Sequence, residues 1–153
     1  MTQSAEGNAK PRSAKLYTPR LLALSAGLAE FPLVSRYEFN AEARSRTCGS
    51  SIKIGFDCSA DDRVDRIGMQ VTACAIGQSS AAILAQSAKG RGKGEFQTMC
   101  DAIDAWLKGE GAAPDWPGFD ALEPALDHAG RHGALMLPWR AAAEALSTGT
   151  VSS

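Results

Sequence analysis

The sequence predicts an α+β fold in which a three-stranded antiparallel meander sheet carries helices packed on one face. Three observations predict it. Three consecutive stretches alternate apolar and polar residues with the period of two that half-buried strands show. A polar turn separates the second stretch from the third, and apolar residues recur at helical spacing on either side of the three stretches. The chain has 153 residues, which indicates a single core.

The strand stretches also predict how the sheet is paired. Their apolar positions are Tyr37, Phe39, Ala41 and Ala43, then Ile52, Ile54, Phe56 and Cys58, then Ile67, Met69, Val71 and Ala73. A two-residue turn at Asp61-Asp62 places apolar residues opposite one another on one face, with Phe56 facing Ile67. Continued to the far end of the sheet, the same register sets Gly49 opposite Cys74.

The other segments favour helices. Thr18 is a good N-cap and Pro19 suits the first turn, so a helix is expected to begin there and to stop before Pro32. Further helices are expected over residues 75–88 and 96–107, and in a last helix that has Pro138 in its first turn. The Gly-rich stretch at residues 90–94 predicts a flexible connector.

Composition narrows the class of protein. The net charge of −1 gives no electrostatic case for a nucleic-acid or membrane partner, and no apolar run approaches the ~20 residues that span a bilayer. The first residues lack the apolar core of a signal peptide, so we expect a cytoplasmic protein. Residues 1–13 and 147–153 are predicted to be disordered tails around a domain at 14–146.

Four cysteines in a reducing compartment are structural, metal-binding or catalytic rather than disulfide-paired. Cys48 precedes a glycine where a strand meets a turn, and Cys74 stands where a helix begins. Both settings can expose and stabilise a thiolate. The predicted register brings the two thiols to one edge of the sheet, within reach of a shared ion. Cys58 and Cys100 fall in phase with apolar neighbours and are predicted to be core residues.

Four short motifs lie along this predicted fold. They are Leu16-Tyr17-Thr18 at the first helix, Cys48-Gly49, Cys74 followed by Gly77-Gln78-Ser79-Ser80-Ala81, and the run from Arg131 to Trp139. In this order, and on a matching strand meander, they resemble those of the NifU/IscU/SufU-type iron–sulfur cluster assembly scaffolds. The resemblance runs from about Tyr17 to Leu146.

The resemblance implies a ligand set of three cysteines and an aspartate two residues after the first cysteine. Cys48 and Cys74 match the first two cysteines, whereas Ser50 holds the aspartate position and Ala134 holds that of the third cysteine. His132 is a further candidate ligand, because neutral imidazole binds zinc and iron, although it stands one residue before the family's histidine. The chaperone-docking Leu-Pro-Pro-Val-Lys motif of one branch is absent.

The function implied is that of a non-enzymatic scaffold or carrier. It would bind iron, zinc or a labile Fe-S cluster, of which the 2Fe–2S type needs four ligands, and would pass it to partners. A cysteine desulfurase and Fe-S acceptor proteins are the partners that the resemblance implies. An alternative is a thiol protein that transfers persulfide sulfur or senses redox state through Cys48 and Cys74. A third hypothesis is a scaffold relic that only docks partners.

Overall fold

The structure, a computed structural model, describes residues 16–34, 36–46 and 49–148. Its helices and strands confirm the predicted α+β class, and the three strands form one antiparallel sheet in the order β1-β2-β3. The predicted tail at residues 1–13 lies outside the described residues, as do residues 149–153. The elements are α1 (Pro19–Ala26), a 3₁₀ helix (Gly27–Glu30), β1 (Phe39–Arg44), β2 (Ser51–Cys58), β3 (Val64–Thr72), α2 (Ala75–Gln86), α3 (Glu95–Leu107), 3₁₀ helices at Phe119–Asp127 and Ala129–Arg131, and α4 (His132–Thr148).

The register of β2 against β3 is the predicted one. The facing pairs are Phe56 with Ile67, Ile54 with Met69, and Ile52 with Val71. The predicted two-residue turn is wrong, because Ser59 N–H donates to the Arg63 carbonyl at 2.8 Å and leaves a three-residue loop at 60–62. Asp62 closes that loop in the left-handed region with φ 61°, and a register shift between Asp57 and Cys58 absorbs the extra residue.

The core lies between one face of the sheet and the helices. Ile52, Ile54 and Phe56 on that face are at most 1% exposed. Aromatic rings continue the packing into the helical layer. Their centroid separations are 5.6 Å for Phe56–Phe96, 5.8 Å for Phe96–Trp116 and 4.9 Å for Trp116–Trp139. Because α4 packs on both β1 and β2, its first turn is held at the end of the sheet where β2 begins.

Tyr37 does not take the predicted place in the first strand. The strand begins at Phe39, and Tyr37 covers the opposite face of the sheet, where Gly55 and Gly68 face each other. A Cβ at Gly55 or Gly68 would come within 2.3 Å of the Tyr37 side chain, so the ring fills the space that the two glycines leave. Alternation alone could not reveal that the chain crosses to the other face just before the strand.

Pro138 is not in the first turn of the last helix. That helix begins at His132 and contains Pro138 in its interior. The residues before the proline are buried against the core, and they are Ala134, Leu135, Met136 and Leu137. Their burial stabilises helix on both sides of a residue that lacks the N–H for the carbonyl four positions earlier. Tertiary packing therefore overrides the local signal.

The outer edge of β3 is covered. Met69 N–H donates to the Phe31 carbonyl at 2.9 Å, and Val64 N–H donates to the Arg91 carbonyl at 2.9 Å. Gly90 N–H returns a bond to the Val64 carbonyl at 2.8 Å, so the Gly-rich connector pairs with the sheet. β1 forms the other edge. Over the described ranges, no helix has the length and apolar character to cross a membrane.

Candidate metal and cluster site

The connection from β1 to β2 carries the first candidate ligand. Ser45 N–H donates to the Ser50 carbonyl at 2.8 Å, and Gly49 N–H donates to the Ser45 carbonyl at 3.1 Å, so both ends of the connection are fixed. Gly49 has φ +73°, a left-handed conformation that side chains other than glycine rarely adopt. Cys48 lies outside the described residues, and its two following neighbours mark where the connection meets β2.

Cys74 stands between β3 and α2, as the sequence predicts. It is the N-cap residue of α2 with φ −69° and ψ 175°, and its half-buried thiol makes no side-chain bond to the helix backbone in the described part of the chain. Gln78 fixes this turn, because its N–H donates to the Cys74 carbonyl at 2.9 Å and its side-chain amide donates to the Ala73 carbonyl at 3.0 Å. The sulfur thus lies at the N-terminal end of α2 without a bond to its first turn.

A cavity of about 260 Å³ opens at this end of the sheet. It is lined by Gly49, Ser50, Thr72, Ala73, Cys74, Gly130, Arg131 and Ala134. Three of the four positions that the resemblance assigns to ligands therefore surround one space, and they are occupied by Ser50, Cys74 and Ala134. Ser50 and Ala134 are themselves buried, 4% and 1% exposed, so the cavity reaches well into the fold.

The small residues that follow Cys74 hold α2 close to α4. A Cβ at Gly77 would lie 2.7 Å from the Ala73 Cβ and 3.3 Å from the Ala134 Cβ, so a larger residue would clash with the turn before α2 and crowd α4. The fully buried Ser80 hydroxyl donates to the Leu135 carbonyl at 2.7 Å. These contacts place Ala134 against the first turn of α2.

Two buried hydroxyl groups reinforce this arrangement, and sequence reasoning gave them no role. Ser80 Oγ also accepts the indole N–H of Trp139 at 2.9 Å, which makes it a bridge between α2 and two positions of α4. Ser79 Oγ donates to the Leu21 carbonyl at 2.8 Å and ties α2 to α1. The signal was present in the sequence, since two adjacent serines in the middle of an apolar helix must find partners when they are buried.

His132 begins α4 rather than lying in an open loop. Its Nε2 atom lies 3.1 Å from the Ala125 carbonyl oxygen and 3.0 Å from that of Leu126, so the ring is anchored to the preceding 3₁₀ segment. His132 is not among the residues that line the cavity, whereas its neighbour Arg131 is. As a metal ligand His132 stays a prediction, and Nδ1 is the ring nitrogen that these contacts leave for it.

The other two cysteines are differently placed. Cys100 is buried, and burial raises the pKa of its thiol to about 11. Cys58 is half-buried at the opposite end of β2, and burial also raises the pKa of its thiol. Both therefore stay protonated near neutral pH, which suits the packing role that the sequence predicts. Among the described residues, no group of three or more His, Cys, Asp or Glu side chains forms a ready metal site.

No protein-family model matches the chain, and no curated protein matches it. Solved structures do. The N-terminal part of a nitrogen-fixing NifU-like protein from Brucella abortus has a TM-score of 0.80 at 26% identity, over 89% of this chain and 95% of that one. A candidate iron–sulfur cluster assembly scaffold protein for the SUF system from Fervidobacterium islandicum AW-1 has a TM-score of 0.78 at 19% identity, over 88% and 98% of the two chains. These matches confirm the resemblance that the motifs predict.

Proposed function

We propose that this NifU/SufU-like chain is an iron–sulfur cluster assembly scaffold or carrier that binds iron, zinc or a labile cluster through Cys48 and Cys74. The solved structures with its fold include a NifU-like protein and a candidate SUF scaffold, which supports the general scaffold role. In this proposal the protein binds and hands on its cargo without being an enzyme. A cysteine desulfurase supplies sulfur, and Fe-S proteins accept the product. The protein would work in the cytoplasm, where its thiols stay reduced.

The cavity beside Cys74 is the observation that carries the proposal. Gly49 and Ser50, which follow Cys48 directly, line it together with Cys74 and Ala134. The described residues on either side of Cys48 are joined by the bond from the Gly49 N–H to the Ser45 carbonyl. This supports a two-thiolate site in which both sulfurs reach one ion or one edge of a cluster.

Ser50 and Ala134, which stand where the family has its aspartate and its third cysteine, support weak, exchangeable binding. The methyl group of Ala134 cannot coordinate a metal, and the hydroxyl of Ser50 is a far poorer ligand than a carboxylate or a thiolate. Since a 2Fe–2S cluster requires four ligands, the two cysteines leave two positions open. His132, a partner protein or a small thiol would supply the missing ligands, and such open coordination favours transfer over storage.

The alternative function uses the same cavity. Arg131 lines it beside Cys74, and a guanidinium there would stabilise a persulfide anion on that cysteine. This shared lining supports a thiol protein that receives and passes on sulfur without holding metal. His132 has a place in the first proposal as a third ligand through Nδ1.

Metal analysis separates these functions. The chain is purified without oxygen, its iron and zinc are measured by mass spectrometry, and it is then reconstituted with ferrous iron and sulfide under visible absorption. Cys48→Ser and Cys74→Ser should each lose the metal. Cys58→Ser is the matched control, because its thiol lies at the other end of β2, roughly 20 Å away at the usual rise of a strand.

Metal retained in both Cys48→Ser and Cys74→Ser would contradict the scaffold proposal. A metal-free wild type with a reversible Cys48–Cys74 disulfide, or with persulfide on Cys74 after incubation with a desulfurase and cysteine, would support the alternative. If the wild type shows neither metal binding nor thiol chemistry, the remaining hypothesis is a scaffold relic that only docks partners.

A further inference from the structure

The two edges of the sheet differ in their backbone hydrogen bonding. The outer edge of β3 is bonded to Phe31, Gly90 and Arg91, as described above. Ser45, just after β1, bonds to Ser50, so these two residues form a hydrogen-bonded pair of the antiparallel ladder. The register along β1 is unbroken, so every second residue back from Ser45 also bonds to β2. The residues in between therefore turn their backbone N–H and C=O groups away from the sheet. They are Asn40, Glu42 and Arg44.

These outward groups form an unpaired strand edge. No backbone or side chain in the described ranges bonds to the main chain of Asn40, Glu42 or Arg44 at that edge. Glu42 and Arg44 are exposed, and neither forms an ion pair with another described residue. An unpaired edge is a template for another strand.

The charges along this edge are self-complementary. We propose that a second copy of this chain pairs antiparallel with β1, so that Glu42 of each copy lies opposite Arg44 of the other. For the two edges to bond, residues with outward backbone groups on one copy of β1 must lie opposite such residues on the other copy. Sliding one strand by a single residue breaks this match, so only every second register is allowed. Of these, the one centred on Ala43 places two opposite-charge pairs directly across the strands. Shifting the centre to Glu42 or to Arg44 would instead place like charges face to face.

The surface beside β1 has room for the second strand. A groove of about 510 Å³ runs between the end of β1 and α4, and Ala43 and Leu137 provide its apolar part. In the proposed register the side chains of Ala41 and Ala43 from the second copy point to the same side of the sheet as this groove. Alanine is small enough to enter there, which a strand with large residues at these positions would not allow.

The pairing makes a six-stranded sheet from two chains, with the twofold axis at Ala43. Because the strands run in opposite directions, the two β1–β2 connections leave the interface at opposite ends. The two cavities beside Cys74 therefore remain open and far apart, and dimerisation does not depend on metal binding.

Sedimentation velocity over micromolar to millimolar concentrations tests the charge pairing. The wild type should show a monomer–dimer equilibrium, and Glu42→Arg or Arg44→Glu should raise the dissociation constant at least ~10-fold. The double variant Glu42→Arg/Arg44→Glu restores both opposite-charge pairs and should dimerise like the wild type. A monomeric wild type at every concentration, or single variants that dimerise unchanged, would overturn the proposal. The first result would leave the edge, with Arg44, Arg46 and Arg140 beside it, to an acidic segment of another protein.

A cysteine at the axis tests the register. Ala43 of each copy forms a non-hydrogen-bonded pair with a Cα separation near 4.5 Å, which a disulfide spans. Ala43→Cys should give a covalent dimer on mild oxidation, with a 43–43 linkage identified by peptide mass spectrometry. Ala41→Cys is the control on the same face, because the two residues 41 would be offset by roughly 13 Å along the strands. Equal cross-linking at both positions, or none at 43, contradicts this register.

Discussion

Replacing Ala134 with cysteine should strengthen metal binding. Ala134 lines the cavity that Cys74 and Ser50 share, and it holds the position of the family's third cysteine. A thiolate there would bring the set to three sulfurs, which together with one solvent or partner ligand satisfies tetrahedral zinc. The substitution adds a single sulfur atom at a site that is 1% exposed, so its effect on folding depends on the space around it.

The structure provides that space. The cavity measures about 260 Å³, several times the ≈30 Å³ that one water molecule occupies in the liquid, so a thiol can point into it without displacing a neighbour. Gly77 lies against residue 134 and has no side chain to obstruct a new rotamer. Losing a group that only orients a metal ligand typically lowers metal affinity roughly 10–100-fold, so a new thiolate that binds the metal directly should raise it at least ~10-fold, or about 1.4 kcal/mol.

Competition with a chromophoric chelator measures this change in zinc affinity, and visible absorption after reconstitution measures the change in cluster yield. Ala134→Ser is the matched control, because it adds an atom of similar size that is a poor zinc ligand. Ala134→Cys/Cys74→Ser should lose the gain, since the new thiolate would have lost its neighbour. If Ala134→Cys binds zinc no more tightly than Ala134→Ser, the cavity is not a metal site.

Three further outcomes concern Cys100, Ser80 and His132. Burial raises the pKa of the Cys100 thiol from 9.0 to about 11, so the folded state holds this proton more tightly than the unfolded state. The resulting contribution to the free energy of unfolding is complete below pH 9 and is lost as the pH rises through 11. Urea titrations should show this loss, on the order of 2 kcal/mol, in the wild type and not in Cys100→Ala. Ser80→Ala leaves the buried indole N–H of Trp139 without its acceptor and should lower the free energy of unfolding by about 1–3 kcal/mol; an unchanged value would mean that water replaces the hydroxyl. His132→Ala should weaken metal binding at least ~10-fold and His128→Ala far less, and equal affinities would remove His132 from the ligand set.

The strand register could be predicted because it depends on local chemistry. Alternation fixes which side chains share a face, and a one-residue slip would move Ile52, Ile54 and Phe56 into water. The turn was predicted less well, because the sequence Ser59-Ala60-Asp61-Asp62 accommodates loops of two or three residues. The choice depends on whether Asp62 takes a left-handed conformation, which aspartate tolerates.

The candidate site was predictable only in part. Position in the strand order brings Gly49 and Cys74 to one cavity, and the sequence contains that information. The anchoring of His132 is not local, since it depends on where the 3₁₀ segment places the carbonyls of Ala125 and Leu126. Pro138 shows the same limit, because only the packing of α4 on the sheet explains a helix that continues through a proline.

The bond from Ser79 to the Leu21 carbonyl has a consequence for synthesis of the chain. It joins residues 58 positions apart, so α1 cannot reach its partner until α2 has left the ribosome. At 5–20 residues per second, this wait lasts about 3 to 12 seconds. A helix of 8 residues is not stable alone for that time, and its apolar stripe remains open to chaperones while the sheet is still being made. This helix is thus synthesised well before the helix that fixes it in place.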